Sequence, residues 1–490
     1  MNNKDLKKAT ISGLGFRFAE RIIAQLVSTL VSIVLARILI PEDYGIVALV
    51  LILITLLNVF VDSGLGSALI QKKDADQTDF STVFWSSVTL SLLLYVALFL
   101  GAPLFAKWYG KDVLTPIIRI MGLRLPIAAV NSVQHAFISK KLMFKKFFWA
   151  TITGTVLSGV VGVWMALTGF GPWALVFQYL VNISVDTLFL WFTIKWRPLF
   201  KFSWQRFKEL FSFGWKVLAS GFLTSVYEEI RSLIIAGKYS TADLAYYTKG
   251  QQFPKLLANN VGTTITNVMF PVLSIYQDDL QRLKPVVRRS MRVCSYVMFP
   301  LLVGFAAIAE SFVIVILTDK WLPVVPYIYL FCVFYLFKPL KVINQSSIKA
   351  IGKSNVYLAL NIIEKTLGVI LIVVTMDLGV IYLSLSAVVT YAIAAIMEMV
   401  ANGVFLKYTF KEQLSDLLAP TLLSIAMCIP VFLLYYIEIS VYLLLILQMM
   451  VGAISYIVFS KLFHVETYTY LKKTIKTYLI EYRHKKKKAK

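Results

Sequence analysis

The sequence predicts an all-α, polytopic membrane protein with 14 transmembrane helices, arranged as two parallel six-helix lobes plus two C-terminal helices. Three observations predict this. Hydrophobic residues make up 58% of 490, mean hydropathy is +0.74, and apolar runs long enough to cross a bilayer recur from end to end. Lys and Arg alternate between successive connections. A polar stripe also occurs twice, as Arg17, Arg21, Gln25, Ser28 and Ser32, then Lys216, Ser220, Thr224, Tyr227 and Arg231, with an offset of 199 residues.

The apolar runs place spans near 18–40, 44–63, 80–102, 114–137, 148–168, 172–194, 211–236, 251–274, 292–317, 325–348, 355–376, 379–403, 415–436 and 440–462. One set of connections, with both termini, carries 35 Lys and Arg; the opposite set carries 6. This bias places both termini in the cytoplasm and favours an even number of spans. Arg17, Glu20 and Arg21 interrupt the first run and no small-x-small pattern follows, so the first helix is expected to remain as an anchor.

The stripe registers extend into a longer duplication. Gly15-Phe16-Arg17 aligns with Gly214-Trp215-Lys216; farther on the offset becomes 213, matching Lys107-Trp108 with Lys320-Trp321, Pro126 with Pro339, and Asn131 with Asn344. Six spans per unit send both halves into the membrane in the same direction. The expected divisions are an N-terminal lobe (1–200), a C-terminal lobe (201–410), two extra helices (411–462) and a basic amphipathic tail (463–490). That tail reads equally well as a solvated topology signal.

The formal charge of +23 could point to nucleic acid, but its placement beside membrane boundaries argues against such a partner. Cys294, Cys332 and Cys428 sit singly within spans, without a CxxC, and read as small apolar core residues. His135, His464 and His484 are scattered, so neither a metal site nor a cofactor is expected. Asp74-Ala75-Asp76 matches a DxD pattern, but lies in a short polar loop and reads as solvated. There is no phosphate-binding GxxxxGK[ST]. The boundary tryptophans, among them Trp108, Trp149, Trp196, Trp204 and Trp321, read as an interfacial belt.

Polar and cationic groups at membrane depth should face a bundle interior or a water-filled cavity. The candidate cationic cavity is therefore Arg17, Arg21, Gln25, Arg124, Lys216, Thr224, Arg231 and Lys338. Arginine forks suit a diphosphate. Competing readings stay beside these. Arg17 and Lys216 could snorkel; Arg231 could pair with Glu228, its i,i+3 neighbour. Arg124-Leu125-Pro126 and Lys338-Pro339 could be gating hinges or ordinary kinks. Glu364 either pairs with Lys365 or joins Asp186 as a candidate for proton or sodium coupling. Polar residues from Gln251 to Asn267 read as ties between helices, with sugar recognition as the alternative.

The segment Leu35-Ala36-Arg37-Ile38-Leu39-Ile40-Pro41-Glu42-Asp43-Tyr44-Gly45 closely resembles one common in polysaccharide flippases of the Wzx type, within the multidrug/oligosaccharidyl-lipid/polysaccharide exporter superfamily. Asp62-Ser63-Gly64-Leu65-Gly66, Ala68-Leu69-Ile70-Gln71, and Tyr246-Tyr247 with Gln251 and Pro254 are similar as well. The resemblance covers essentially the whole chain and is nearest to the colanic-acid and teichuronic-acid exporter branch. It implies a transporter in the bacterial plasma membrane that moves undecaprenyl-diphosphate-linked oligosaccharide from the inner to the outer leaflet by alternating access. It further implies contact with membrane lipids, a polysaccharide polymerase and a chain-length regulator, and first-helix arginines, here Arg17 and Arg21, in a central cationic cavity. A cation-coupled multidrug antiporter of the same architecture would instead favour acidic or aromatic cavities. A membrane-embedded polymerase would need a large catalytic outer loop, and a scaffold would tolerate loss of the stripe.

Overall fold

The structure is a computed structural model that describes the backbone of residues 3–62, 64–141, 143–275, 279–474 and 476–477. Within these, the side chains at 3–18, 260–272 and 274 lie outside the description. The predicted Arg17 contact and most of the Gln251–Asn267 cluster therefore fall outside the described side chains. Among the described residues the chain is helical, with no strand. It forms two compact units, residues 1–245 and 246–490.

The first unit contains α1 (Asn3–Ile38), α2 (Pro41–Asp62), α3 (Leu65–Gln71), α4 (Gln77–Trp108), α5 (Leu114–Gly122), α6 (Arg124–Lys141), α7 (Phe144–Leu167), α8 (Pro172–Thr193) and α9 (Trp204–Lys238). It ends with the first residues of α10 (Thr241–Ile275), and most of that helix belongs to the second unit. The remainder of the second unit contains α11 (Leu280–Ala307), α12 (Ala309–Phe312), α13 (Val325–Leu336), α14 (Lys338–Ala350), α15 (Ser354–Thr375), α16 (Val380–Phe405), α17 (Phe410–Leu433) and α18 (Val441–Leu462). The unit boundary lies beyond residue 200 because α9 packs against α2 and α3.

Among the described residues, twelve helical stretches are long and apolar enough to cross a bilayer. The expected spans 211–236 and 251–274 fall on α9 and α10, helices of 35 residues each that are not among the twelve. Lys216, Glu228, Glu229 and Arg231 interrupt the apolar character of α9.

The expected spans 114–137 and 325–348 are each broken in two. One break is at Leu123, between α5 and α6, and the other at Phe337, between α13 and α14. Each break is followed at once by the predicted cation, Arg124 or Lys338, and then by proline. Proline removes a ladder donor and crowds the preceding turn, which accounts for a helix that restarts there.

The core of the first unit gathers Leu69, Phe80, Phe84, Leu190, Trp196 and Leu210 near the polar loop that follows α3. Close approach of α7 to its neighbours depends on glycine. A Cβ at Gly159 would lie 2.5 Å from Val31 on α1, and one at Gly154 would lie 2.9 Å from the Asn182 carbonyl on α8. In the second unit the extra helix α17 packs along α11. Arg288 Nε donates to Asp416 at 2.6 Å, Arg292 Nε at 2.7 Å, and Tyr408 adds its hydroxyl at 2.8 Å. Beyond α18, residues 466–474 are helical, and Val465, Tyr468 and Leu471 pack on the core of α11, α17 and α18. The tail's terminal lysine run lies outside the described residues.

One sequence reading changes. Trp321 and Trp196 are buried rather than interfacial, because Trp321 packs edge-on to Tyr246 and Trp196 stacks with Phe137. Asp76 is exposed, as a solvated loop requires, and also engaged. It caps α4 by accepting from the Thr78 and Asp79 amides, and it pairs with Arg206 at the start of α9.

Candidate functional site: a polar cavity with two arginines

Within the first unit, α1, α6, α7 and α8 enclose a cavity of about 390 Å³. Arg21 enters it from α1 and Arg124 from the head of α6. Gln25 and Ser28 line it one and two turns beyond Arg21, as the 4,3 spacing of the stripe requires. Thr155, Ser158, Gln178 and Asn182 add hydroxyls and amides from α7 and α8. Glu20 is the acidic group in the lining, so the cavity carries two guanidinium groups against one carboxylate. Arg124 stands over the Tyr179 ring, 5.6 Å from its centre, which fixes the guanidinium by cation–π contact. Arginine forks beside hydroxyls and amides make a site suited to an anion bearing polar substituents. The volume lies in the range of small-ligand pockets.

The structure thus brings together Arg21, Gln25 and Arg124 from the predicted set, and sequence reading missed Gln178, Tyr179 and Asn182. Those three recur at i, i+1 and i+4 on α8, a polar face whose role only the packing against α7 reveals. Lys216, Thr224 and Arg231 on α9 are not in this lining. Lys216 is exposed, and the exposed Thr224 hydroxyl donates back to the Ser220 carbonyl at 2.8 Å.

Arg231 is buried without the expected Glu228 partner. Its guanidinium turns instead over Tyr227, 5.9 Å from the ring centre, with Nε and Nη2 lacking hydrogen-bond partners, while Glu228 points to the exposed side. Lys338, in the second unit, donates to Asn259 on α10.

The coupling candidates occupy separate centres. Asp186 Oδ2 lies 3.0 Å from His135 Nε2 and accepts from Asn131 at 2.7 Å. Glu364 pairs not with its neighbour Lys365 but with Lys341 on α14, at 2.6 Å. The same ammonium lies 3.9 Å from Glu398 on α16 and 4.2 Å from the centre of the Tyr391 ring.

The profile of the family described as "Polysaccharide biosynthesis protein" matches residues 34–326. The chain belongs to this family. Among its relatives, the succinoglycan biosynthesis transport protein ExoT of Rhizobium meliloti is 27% identical over 59% of the chain and 58% of its own length. The teichuronic acid biosynthesis protein TuaB of Bacillus subtilis is 26% identical over 61% of the chain and 62% of its own. The lipopolysaccharide biosynthesis protein WzxC of Escherichia coli is 26% identical over 67% of each. The match to the first of these spans little more than half of that relative.

Among solved structures, the lipid II flippase MurJ in an inward closed conformation superposes with a TM-score of 0.74 at 15% identity, covering 93% of this chain and 99% of that one. An inward-facing multidrug resistance MATE transporter of the MOP superfamily gives 0.63 at 16%, covering 78% and 94%. The chain is thus a multi-pass membrane protein with the fold of those two structures.

Proposed function

We propose that this chain is a flippase, not an enzyme, that carries an undecaprenyl-diphosphate-linked oligosaccharide from the cytoplasmic to the outer leaflet of the bacterial plasma membrane for surface polysaccharide synthesis. In this reading α9 and α10 also cross the bilayer, giving 14 spans. Two parallel six-helix lobes, 1–200 and 201–410, alternate access, and both termini are cytoplasmic. The observation that carries the reading is the Arg21–Arg124 cavity, where two cations stand among hydroxyls and amides at membrane depth. A diphosphate takes the guanidinium forks, and the first sugar takes Gln25, Gln178 and Asn182. The names of the relatives agree with such a cargo.

The test is retention of a polyprenyl diphosphate by the purified full-length protein, read by native mass spectrometry. Wild type is expected to hold it and the Arg21→Ala/Arg124→Ala double variant to lose it. Equal retention by both proteins sinks the assignment.

A further inference from the structure

We propose that His135 and Asp186 form a proton-binding site in the first unit, and that Lys341 with Glu398 is its fixed-charge counterpart in the second. This goes beyond the translocation reading and holds whatever the cargo is. The two centres share one plan. In the first, Asn131 and His135, one turn apart on α6, both reach Asp186 Oδ2 on α8, at 2.7 and 3.0 Å. In the second, Lys341 and Gln345, one turn apart on α14, both reach Glu398 Oε1 on α16, at 3.9 and 2.7 Å. From Asp186 to Glu398 is 212 residues and from Asn131 to Gln345, which follows the repeat match Asn344, is 214, close to the repeat offset of 213; His135 and Lys341 are 206 apart, so the base stands on the opposite side of the amide in the second centre. In both centres the second carboxylate oxygen, Asp186 Oδ1 or Glu398 Oε2, is buried without a hydrogen-bond partner.

The base differs. Lys341 is clamped between Glu364 and Glu398 under the Tyr391 ring, with 6% of its side chain exposed. His135 is 30% exposed. Imidazole is the side chain suited to exchanging a proton near neutral pH. The ligand class follows from the donor set. Asp186 is surrounded by N–H groups of Asn131 and His135 rather than by the ring of oxygens a hard cation requires. A proton taken from water onto Nδ1 leaves Nε2–H on the Asp186 carboxylate, so a singly negative imidazole–carboxylate pair becomes a net-neutral imidazolium–carboxylate pair that ties α6 to α8 more strongly. No other bond forms or breaks.

The other charges around His135 are accounted for. Asp62 on α2 lies within its electrostatic range. Lys72, after α3, pairs with Asp79 on α4. Lys146 on α7 donates to the Thr193 carbonyl, and Phe147 closes on the imidazole at 4.3 Å. On α6 itself, Lys140 bonds the Leu69 carbonyl and Arg124 covers Tyr179. Asp62 and Asp186 are thus the carboxylates that a proton on His135 would neutralise.

The chain has three histidines, so H464A/H484A isolates the His135 imidazole in the full-length protein. Carbon-13 histidine NMR in nanodiscs follows its protonation, infrared difference spectra follow the Asp186 carboxylate, and hydrogen exchange follows α6 and α8. Acidification through the imidazole range should change the ring signal and the carboxylate band together. It should also raise α6 and α8 protection, after correction for intrinsic rates, by on the order of ten-fold, the gain of a charge-assisted over a neutral hydrogen bond. D186N should lose the carboxylate band, and H135Q should lose the protection change. If H135Q does not fold, D186N must still abolish the protection change. Exchange of potassium for sodium should alter nothing. An imidazole that does not titrate, a protection change that survives in H135Q or D186N, or one that follows sodium overturns the proposal.

Discussion

Both units place cations among buried polar groups, yet they do opposite things with them. In the first unit Arg21 and Arg124 face a 390 Å³ cavity with Glu20 as the acid in its lining. In the second, Lys341 is held by Glu364 at 2.6 Å with Glu398 beyond and Tyr391 above. A cation left facing a cavity is available to a ligand, whereas a cation clamped by two carboxylates is a structural fixture whose removal strands buried charge. A duplicated pattern of polar residues therefore need not encode a duplicated task. The same contrast separates α1 from α9: Arg21, Gln25 and Ser28 open into the cavity, while the α9 stripe ends with Arg231 turned into the core over Tyr227.

The largest effect that would break this comparison is on transport. Charge reversal at Arg21 or Arg124 should lower cargo translocation by roughly a hundredfold, the scale of the 2–5 kcal/mol attached to a desolvated charge contact. Lys216→Glu, outside the lining, should be far milder in the same proteoliposome assay. Next comes stability in the second unit. Lys341→Met should cost about 3–5 kcal/mol by leaving Glu364 and Glu398 uncompensated. The triple change adding Glu364→Gln and Glu398→Gln should recover much of that loss, measured by thermal unfolding in detergent. A Lys341→Met protein as stable as wild type would remove the distinction between fixture and site.

Smaller effects sharpen the geometry. Gly159→Val should cost about 1–3 kcal/mol, because its Cβ would lie 2.5 Å from Val31 and push α1 away from α7. Stability and cargo retention should fall together, since the same contact sets the width of the cavity. Asp76→Ala should cost about 1 kcal/mol through loss of the α4 cap. Hydrogen bonding to Arg206 holds the Asp76 carboxyl well below the usual carboxylate range. Its contribution is therefore present at neutral pH and is lost as pH falls below about 4, the ordinary aspartate value, toward the depressed one. Acid unfolding curves of wild type and Asp76→Ala should converge at the low end.

Hydropathy made most of the helices legible, because each apolar run of about twenty residues has few alternatives to crossing or packing as a helix. The breaks at Leu123 and Phe337 were legible from cation-proline pairs. That Arg21 and Arg124 share a polar lining with Gln25 was legible because cations within apolar helices are costly unless they face polar surroundings. His135 with Asp186, and Lys341 with Glu364 and Glu398, were not. Their partners sit on different helices, more than twenty residues apart in sequence. A lone histidine in an apolar helix carries no spacing signal. Nor could local spacing foretell that Arg231 would prefer Tyr227 to Glu228, since both are helical neighbours and tertiary packing chose between them.

The most direct test is translocation of an undecaprenyl-diphosphate-linked sugar in proteoliposomes holding matched amounts of wild type, Arg21→Glu and Arg124→Glu. A cargo-binding cavity in the first unit predicts near-complete loss in both variants with folded protein retained. Wild-type rates in either would contradict it.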